Sequence, residues 1–174
     1  QHKRTDPARV LPGYDYDVIT EEALLTRASV RDGRIVLPDG MSYRVLVLRD
    51  HTGISLPVLR KVKELVAAGA NVVGPKPTGA MSLQHDDSEV RQIADLLWGE
   101  GKVITDRTAR DVLLAACVMP DFEYRGGSEE TDLDYVHRRD GDTDIYFVAN
   151  RADRTASVTC TFRVAGKAPE LWDA

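Results

Sequence analysis

The chain has 174 residues, with 23 lysines and arginines against 28 aspartates and glutamates, so its formal net charge is −5. Because opposite charges are interspersed along an acidic chain, nucleic acid and anionic membrane surfaces are disfavoured as partners. No run approaches the roughly 20 apolar residues of a membrane-spanning helix. The length predicts one domain, with a core that needs neither disulfides nor metal.

The first 27 residues predict an entry segment followed by a short helix. Pro7 and Pro12 lie in a stretch without apolar periodicity. Thr20 then precedes two acidic residues, a combination typical of a helix N-terminus, and the apolar pattern continues to about Arg27. Residues 28–37 contain an Asp32-Gly33 pair between two apolar runs, which predicts a β-hairpin.

Residues 43–118 predict strands and helices in alternation. The run 43–48 (YRVLVL) is typical of a strand buried on both faces of a parallel sheet. Ser55 is expected to cap a helix that stops at Gly69, and a strand follows at 70–74. A further helix is expected from Asp87 or Ser88 to Gly99, a strand over 102–105, and a helix opened by Thr108 and closed by Pro120.

Residues 133–172 alternate apolar and polar side chains, which predicts antiparallel strands separated by turns at 139–142 and 151–154. The last expected strand, 170–172, has no partner left to cover it, so we expect this chain to belong to a larger protein.

The sequence therefore predicts an α/β fold, namely an open, mostly parallel three-layer sheet of the flavodoxin-like or class I amidotransferase-like kind with appended C-terminal antiparallel strands. The expected organisation is an entry segment and helix (1–27), an α/β domain (28–125), a loop (126–132) and an antiparallel β extension (133–174) that leads to a missing module.

The two cysteines are expected to be small core residues, Cys117 in a helix and Cys160 in a strand, and their pairing is left open. Neither lies on a glycine-flanked turn between strand and helix, where a nucleophile would be exposed. The sequence thus argues against amidotransferase activity, and it predicts no cofactor, no metal site and no catalytic residue in this chain.

One group of polar residues follows the carboxyl ends of the predicted parallel strands, where open sheets bind ligands. These residues are Asp50, His51, Lys76 and Asp106. They define an alternative function, a stand-alone small-molecule or carbohydrate-binding α/β module.

Several separated motifs resemble glycoside hydrolase family 106, the bacterial α-L-rhamnosidases. They occur in family order at 13–19 (GYDYDVI), 37–48 (LPDGMSYRVLVL), 97–99 (LWG), 119–122 (MPDF), 135–139 (YVHRR), 144–150 (DIYFVAN) and 162–173 (FRVAGKAPELWD). The resemblance implies that the parent protein is a glycoside hydrolase whose catalytic carboxylates lie in a barrel outside this chain. It also implies a secreted or periplasmic location, although the chain carries no signal of its own.

With this resemblance, the sequence predicts a non-catalytic accessory domain that packs on the catalytic barrel and on β-sandwich domains of the parent chain, with the oligomeric state left open. Asp15 and Asp17 lie where the chain would enter this domain from a preceding barrel. His137 and Arg138 lie on a predicted strand in which apolar and polar residues alternate. Carboxylate, imidazole and guanidinium groups suit the hydroxyls of a glycan. These four residues are the candidate substrate contacts, and the parent protein, not this segment alone, is expected to be the enzyme.

Overall fold

The computed structural model describes residues 6, 10, 13–50, 53–81 and 87–172. The chain divides into two compact units. The first unit comprises Gln1–Val10 and Asp15–Val118, and the second comprises Leu11–Tyr14 and Met119–Ala174.

Within the described residues, the first unit contains helices and short strands. Its helices are α1 (Glu21–Arg27), α2 (Leu56–Ala67), α3 (Asp87–Gly99) and α4 (Ala109–Ala115). Its strands are β1 (Ser29–Arg31), β2 (Arg34–Val36), β3 (Ser42–Tyr43), β4 (Val45–Val47), β5 (Gly53–Ile54), β6 (Asn71–Val73) and β7 (Gly79–Ala80). No helix in this part of the chain, or elsewhere in the described ranges, is both long and apolar enough to cross a bilayer.

The predicted helix starts are confirmed at side-chain level. The hydroxyl groups of Thr20 and Ser55 each accept a backbone N–H three residues along, both at 3.3 Å. Thr108 and Asp111 form a reciprocal capping box, in which each side chain accepts the backbone N–H of the other residue, at 3.1 and 2.8 Å. Each bond satisfies a donor that the first helical turn leaves unpaired.

The predicted hairpin is also confirmed. Strands β1 and β2 pair antiparallel, and β3 adds to β2 in the same sense. Asp32 and Gly33 connect them with φ of 51° and 69°. Positive φ at both central residues is typical of a type I′ turn, whose twist matches that of the two strands it connects.

The predicted open, mostly parallel three-layer sheet is wrong. Most strands are short and lie in small antiparallel sheets. Among the residues that the structure describes, parallel pairing is confined to β4 with β6, β5 with β7, and a single bridge between Val73 and Ile104. Helix α2 does connect the parallel strands β4 and β6. These few parallel pairs do not build a flavodoxin-like or amidotransferase-like fold.

The error arises at the run 43–48. Tyr43 pairs antiparallel with Ile35 of β2, whereas Val45–Val47 pairs parallel with β6, so two sheets share what the sequence presents as one strand. The side chains of β4 are half-buried, not enclosed on both faces. An apolar β-branched run fits strands of several kinds, because its preference depends on which neighbours pack against it.

The core of the first unit lies along the apolar stripes of α2 and α3. Leu59, Val62 and Leu65 from α2 and Val90 and Leu97 from α3 are at most 1% exposed. Each such side chain contributes about 1.5–3 kcal/mol by leaving water. This part of the fold follows directly from the helical spacing of the sequence.

The second unit consists of β8 (Phe122–Gly126), β9 (Leu133–Asp140), β10 (Thr143–Asn150) and β11 (Val158–Phe162) in its described residues. Strands β9 and β10 pair antiparallel, with Leu133 opposite Asn150 at one end and Asp140 opposite Thr143 at the other. Strand β8 pairs antiparallel with β11. Aromatic rings connect the two sheets, with Phe122 against Tyr135 at 5.1 Å and Tyr146 against Phe162 at 4.7 Å. Phe122, fully buried, is the centre of this core.

Residues 170–172 do not form the predicted strand. They are irregular, and the side chains of Leu171 and Trp172 are 97% and 83% exposed. Strand β8, in contrast, has no counterpart in the sequence prediction, because its partner β11 lies more than 30 residues further along the chain.

Cys117 is neither helical nor buried, contrary to prediction, and Cys160 is half-buried in β11. Helix α4 ends at Ala115, and Cys117 follows with a left-handed φ of 56°. The N–H groups of Cys117 and Val118 donate to the carbonyls of Leu114 and Leu113, both at 2.9 Å. This is the bonding of a Schellman cap, in which glycine is the usual occupant of the left-handed position.

Replacing Cys117 by glycine should stabilise the chain. A left-handed conformation costs a residue with a side chain about 1 kcal/mol or more, so we expect Cys117→Gly to raise the free energy of unfolding by about 0.5–1 kcal/mol. Urea denaturation measures this change. Ala116→Gly is the matched control because Ala116 has a φ of −85°, and it should lower stability; a loss of stability in Cys117→Gly would contradict the cap assignment.

Candidate functional site

The second unit gathers acidic, basic and aromatic side chains around one imidazole. We call this group the His137 cluster, and its members are Asp121, His137, Asp144, Tyr146, Arg163 and Lys167. Asp121 and Arg163 flank the paired strands β8 and β11, and the central members lie on β9 and β10.

Strand register brings the central members together. His137 lies directly opposite Tyr146, and the two rings stack with centroids 4.1 Å apart and an interplanar angle of 12°. Asp144 is two residues before Tyr146 and therefore shares its face of β10. The period of the two strands thus places one carboxylate beside the ring of His137.

The imidazole of His137 lies between two carboxylates. Its Nδ1 is 2.8 Å from Oδ2 of Asp121, and its Nε2 is 2.9 Å from Oδ1 of Asp144. Only the imidazolium form donates from both nitrogens, so the doubly protonated ring satisfies both contacts. Such charge-assisted bonds are about twice as strong as neutral ones.

Asp121 contacts several parts of the second unit. Its Oδ1 accepts hydrogen bonds from the hydroxyl of Tyr146 at 2.9 Å and from the guanidinium of Arg163 at 3.3 Å. Its backbone N–H donates to the carbonyl of Gly13 at 2.6 Å, and its carbonyl accepts the N–H of Arg163 at 3.0 Å. The side chain is only 14% exposed. This carboxylate therefore has a partner on each oxygen.

Asp144 is engaged in the same way. Lys167 Nζ donates to its carboxylate and to the carbonyl of Asp142. The hydrogen bond from Lys167, followed by that from His137, holds the pKa of Asp144 below its usual range. Burial, with the hydrogen bond to Asp121, raises the pKa of the Tyr146 phenol above its usual range. Asp144 is thus held as a carboxylate and Tyr146 as a neutral donor.

This geometry leaves no room for a substrate between the two carboxylates. Glycoside hydrolysis needs two carboxyl groups that flank the scissile bond, with space between them for the sugar and, in inverting enzymes, a water. Here the ring of His137 fills the space between Asp121 and Asp144. The cluster has the residue types of an acid–base site, but its arrangement is that of a closed ion network.

The predicted substrate contacts lie in different surroundings. Asp15 and Asp17 are exposed, and the carboxylate of Asp17 accepts the hydroxyl hydrogen of Tyr43 at 2.8 Å. Burial and this hydrogen bond raise the pKa of Tyr43 to about 12. Arg138 is exposed on the face of β9 opposite to His137, where its guanidinium donates to the His137 carbonyl at 3.2 Å. Substrate contact by Asp15, Asp17, His137 and Arg138 stays a prediction.

Two residues of the alternative pocket, Lys76 and Asp106, form ion pairs with other residues of the chain. Lys76 Nζ is 2.6 Å from Asp95 of α3, and the nearest ion pair of Asp106 is with its neighbour Arg107 at 3.8 Å. Asp50 is exposed, and His51 lies outside the described residues. Ligand binding by these four residues also stays a prediction.

A depression of about 560 Å³ lies between α2 and α3, and none of its lining residues is a predicted site residue. It is lined by Arg60, Lys63, Glu89, Gln92, Ile93 and Leu96. Arg60 donates to Glu89 at 2.6 and 2.9 Å across it. Among the side chains that the structure describes, no group of three or more His, Cys, Asp and Glu is arranged to hold a metal ion.

Sequence reasoning identified His137 but missed its partners. Asp121, Asp144 and Lys167 all lie inside the motifs that carry the family resemblance, which was the available indication. Spacing alone does not reveal them, because Asp121 is 16 residues and Asp144 7 residues from His137, distances that depend on strand pairing.

Comparisons with known proteins agree on one family. The sequence profile of the α-L-rhamnosidase family, glycoside hydrolase family 106, matches residues 3–174. A curated protein of Formosa agariphila, named "Putative beta-glucuronidase", is 36% identical over 165 residues, which are 93% of this chain and 14% of that protein. A solved rhamnosidase structure from Novosphingobium sp. PP1Y is 32% identical, with a TM-score of 0.77, and matches 93% of this chain and 17% of that one.

The chain therefore spans about one sixth or less of the length of these relatives, although nearly all of it matches them. The match runs through the motifs on which the resemblance was based and through all members of the His137 cluster. The resemblance is confirmed, and the chain belongs to the α-L-rhamnosidase family of glycoside hydrolases.

Proposed function

We propose that this chain is a non-catalytic structural domain of an α-L-rhamnosidase-type glycoside hydrolase, in which it packs against the catalytic barrel and β-sandwich domains of the parent polypeptide. The observation that carries the proposal is the closed His137 cluster. Its two carboxylates face His137, Arg163, Lys167 and Tyr146, so they bind parts of the domain to one another and leave the chemistry to residues elsewhere.

The electrostatics of the cluster support a structural role. A general acid needs a pKa raised towards the working pH, and the usual causes are burial without partners or a like charge nearby. Asp144 has the opposite surroundings, with Lys167 and His137 both lowering its pKa. A carboxyl group held in this way stabilises folded structure and is a poor proton donor.

The family of the chain supports the activity of the parent protein. Because the relatives are about six times longer, the parent would hydrolyse terminal rhamnosyl linkages with residues outside this segment. A secreted or periplasmic location of the parent, and contact of Asp15, Asp17, His137 and Arg138 with the glycan, are further parts of the proposal.

The proposal that the catalytic residues lie outside this chain has a direct test. We expect the polypeptide that carries this chain to hydrolyse an aryl α-L-rhamnoside, and the isolated 174-residue chain to show no turnover above buffer. Released phenolate is followed by absorbance at matched molar concentrations, and circular dichroism establishes that the isolated chain is folded. Hydrolysis by the folded chain alone would place the catalytic carboxylates within it and refute the proposal.

Removing Asp121 should unfold part of the second unit. Asp121→Ala leaves His137, Tyr146 and Arg163 without their shared acceptor, and loss of a hydrogen bond to a charged group costs about 1.5–3 kcal/mol. Amide hydrogen exchange should show loss of protection in β9 and β10. Asp142→Ala is the control, since the Asp142 side chain is fully exposed, and it should change stability by no more than about 0.5 kcal/mol; equal effects of the two variants would contradict the structural role.

The cluster should make stability depend on pH in the acid range. The pKa of Asp144 in the folded chain lies below its ordinary value of 3.8, so its contribution is complete above pH 3.8 and is lost as pH falls through the lowered pKa. Urea unfolding between pH 7 and 2.5 measures this loss.

Asp111 titrates in the same direction because of its bonds to Thr108, so the wild type is compared with Lys167→Met. This variant removes the first cause of the Asp144 shift and should show a smaller decrease in acid. An unchanged pH dependence in Lys167→Met would show that Asp144 is not the group responsible.

A further inference from the structure

The hairpin of β9 and β10 has one face turned towards the other strands of its unit and one turned away. Tyr135, His137 and Tyr146 lie on the first face and contact Phe122, Asp121 and Phe162. The second face, which we call the outer face, presents Val136 and Arg138 of β9 opposite Phe147 and Ile145 of β10, respectively.

Beside Arg138, the outer face carries an exposed apolar patch. Val136, Ile145 and Phe147 are 46%, 52% and 57% exposed, and register makes them neighbours on one surface. An antiparallel sheet with one side in water normally turns its polar residues outward. This hairpin instead turns Val136, Ile145 and Phe147 outward, while the His137 cluster and the ring of Tyr135 lie on its inner face. Such a distribution fits a sheet that is covered on both faces.

The size of the outer face limits what covers it. An aromatic side chain buries about 150–250 Å², so three side chains of that size or smaller, each about half-exposed, offer at most roughly 400 Å². A stable complex of separate molecules buries about 800 Å² on each partner. A second copy of the chain or a diffusing protein would gain too little here, whereas a tethered domain benefits from a millimolar effective concentration.

We propose that the outer face of the β9–β10 hairpin docks another domain of the same polypeptide. The inference rests on the proposed function, and it adds the surface through which this domain is attached. The relatives supply the argument for the occupant, because about five sixths of their length lies outside the region that matches this chain.

The chemistry of the partner surface follows from the outer face. It is apolar opposite Val136, Ile145 and Phe147, and it carries a carboxylate within reach of Arg138. The guanidinium of Arg138 is exposed and donates one bond to a backbone carbonyl, which leaves further donors directed outward. A bidentate pair with a carboxylate would fix the register of the two domains.

Cysteine labelling tests the proposal without any assay of activity. Ile145→Cys is introduced into the isolated chain and into the full polypeptide that carries it, both in a Cys117→Gly background to remove the exposed native thiol. Labelling by a water-soluble maleimide is timed at several protein concentrations. We expect the introduced thiol to react at least tenfold more slowly in the full polypeptide than in the isolated chain.

Met81→Cys is the matched control, because Met81 is an exposed apolar residue, 69% accessible, in the other unit. It should react at similar rates in both proteins. Equal rates for Ile145→Cys would overturn the proposal, as would protection that appears in the isolated chain as its concentration rises, since that indicates a second copy. A gene that encodes no more than these 174 residues would overturn it too.

The outcome is independent of catalysis. Slow labelling in a full polypeptide that hydrolyses no rhamnoside would support the docking surface and refute the proposed function. Fast labelling in a full polypeptide that hydrolyses the rhamnoside would refute the docking surface and support the proposed function.

Discussion

The carboxylate of Asp121 is the constraint on which the second unit depends. Its peptide group is hydrogen-bonded to Gly13 and Arg163, and its side chain accepts from β9, β10 and the residue after β11. A carboxylate that is only 14% exposed is tolerated when its oxygens are hydrogen-bonded and its charge is matched. His137, Tyr146 and Arg163 meet that requirement only when the strands hold this register. One partly buried charge therefore specifies how four segments assemble.

The same constraint explains why the hairpin turns three apolar side chains away from the other strands of its unit. Side chains alternate along a strand, so placing His137 and Tyr146 against Asp121 turns Val136, Ile145 and Phe147 to the opposite face. A slip of one residue would bury the apolar set and expose the ionic one, but it would take His137 and Tyr146 away from Asp121. The ionic cluster thus fixes a register in which an apolar face remains to be covered.

Local features of the fold were predictable because a few adjacent residues determine them. The caps at Thr20, Ser55 and Thr108 and the Asp32-Gly33 turn each depend on contacts within four residues. Sheet type was not predictable, because the run 43–48 divides between an antiparallel and a parallel neighbour that lie elsewhere in the chain. The prediction that Cys117 lies in a helix was wrong for a related reason. A left-handed cap is usually recognised in a sequence by its glycine. Here a cysteine holds that position, and the cap is formed by hydrogen bonds to Leu113 and Leu114.

His137 shows what residue type alone conveys about a site. The sequence identified it as a candidate for substrate contact, because imidazole and guanidinium groups suit glycans, and position within a strand does not separate contact with ligand from contact within the protein. In the structure both of its nitrogens face carboxylates that have further partners of their own. The proposed structural role rests on this occupancy, because the contacts of the imidazole orient two strands and the segment before β8 relative to one another. Under that proposal Asp121 and Asp144 hold the strands in register, and the carboxyl groups that act on substrate lie outside this chain.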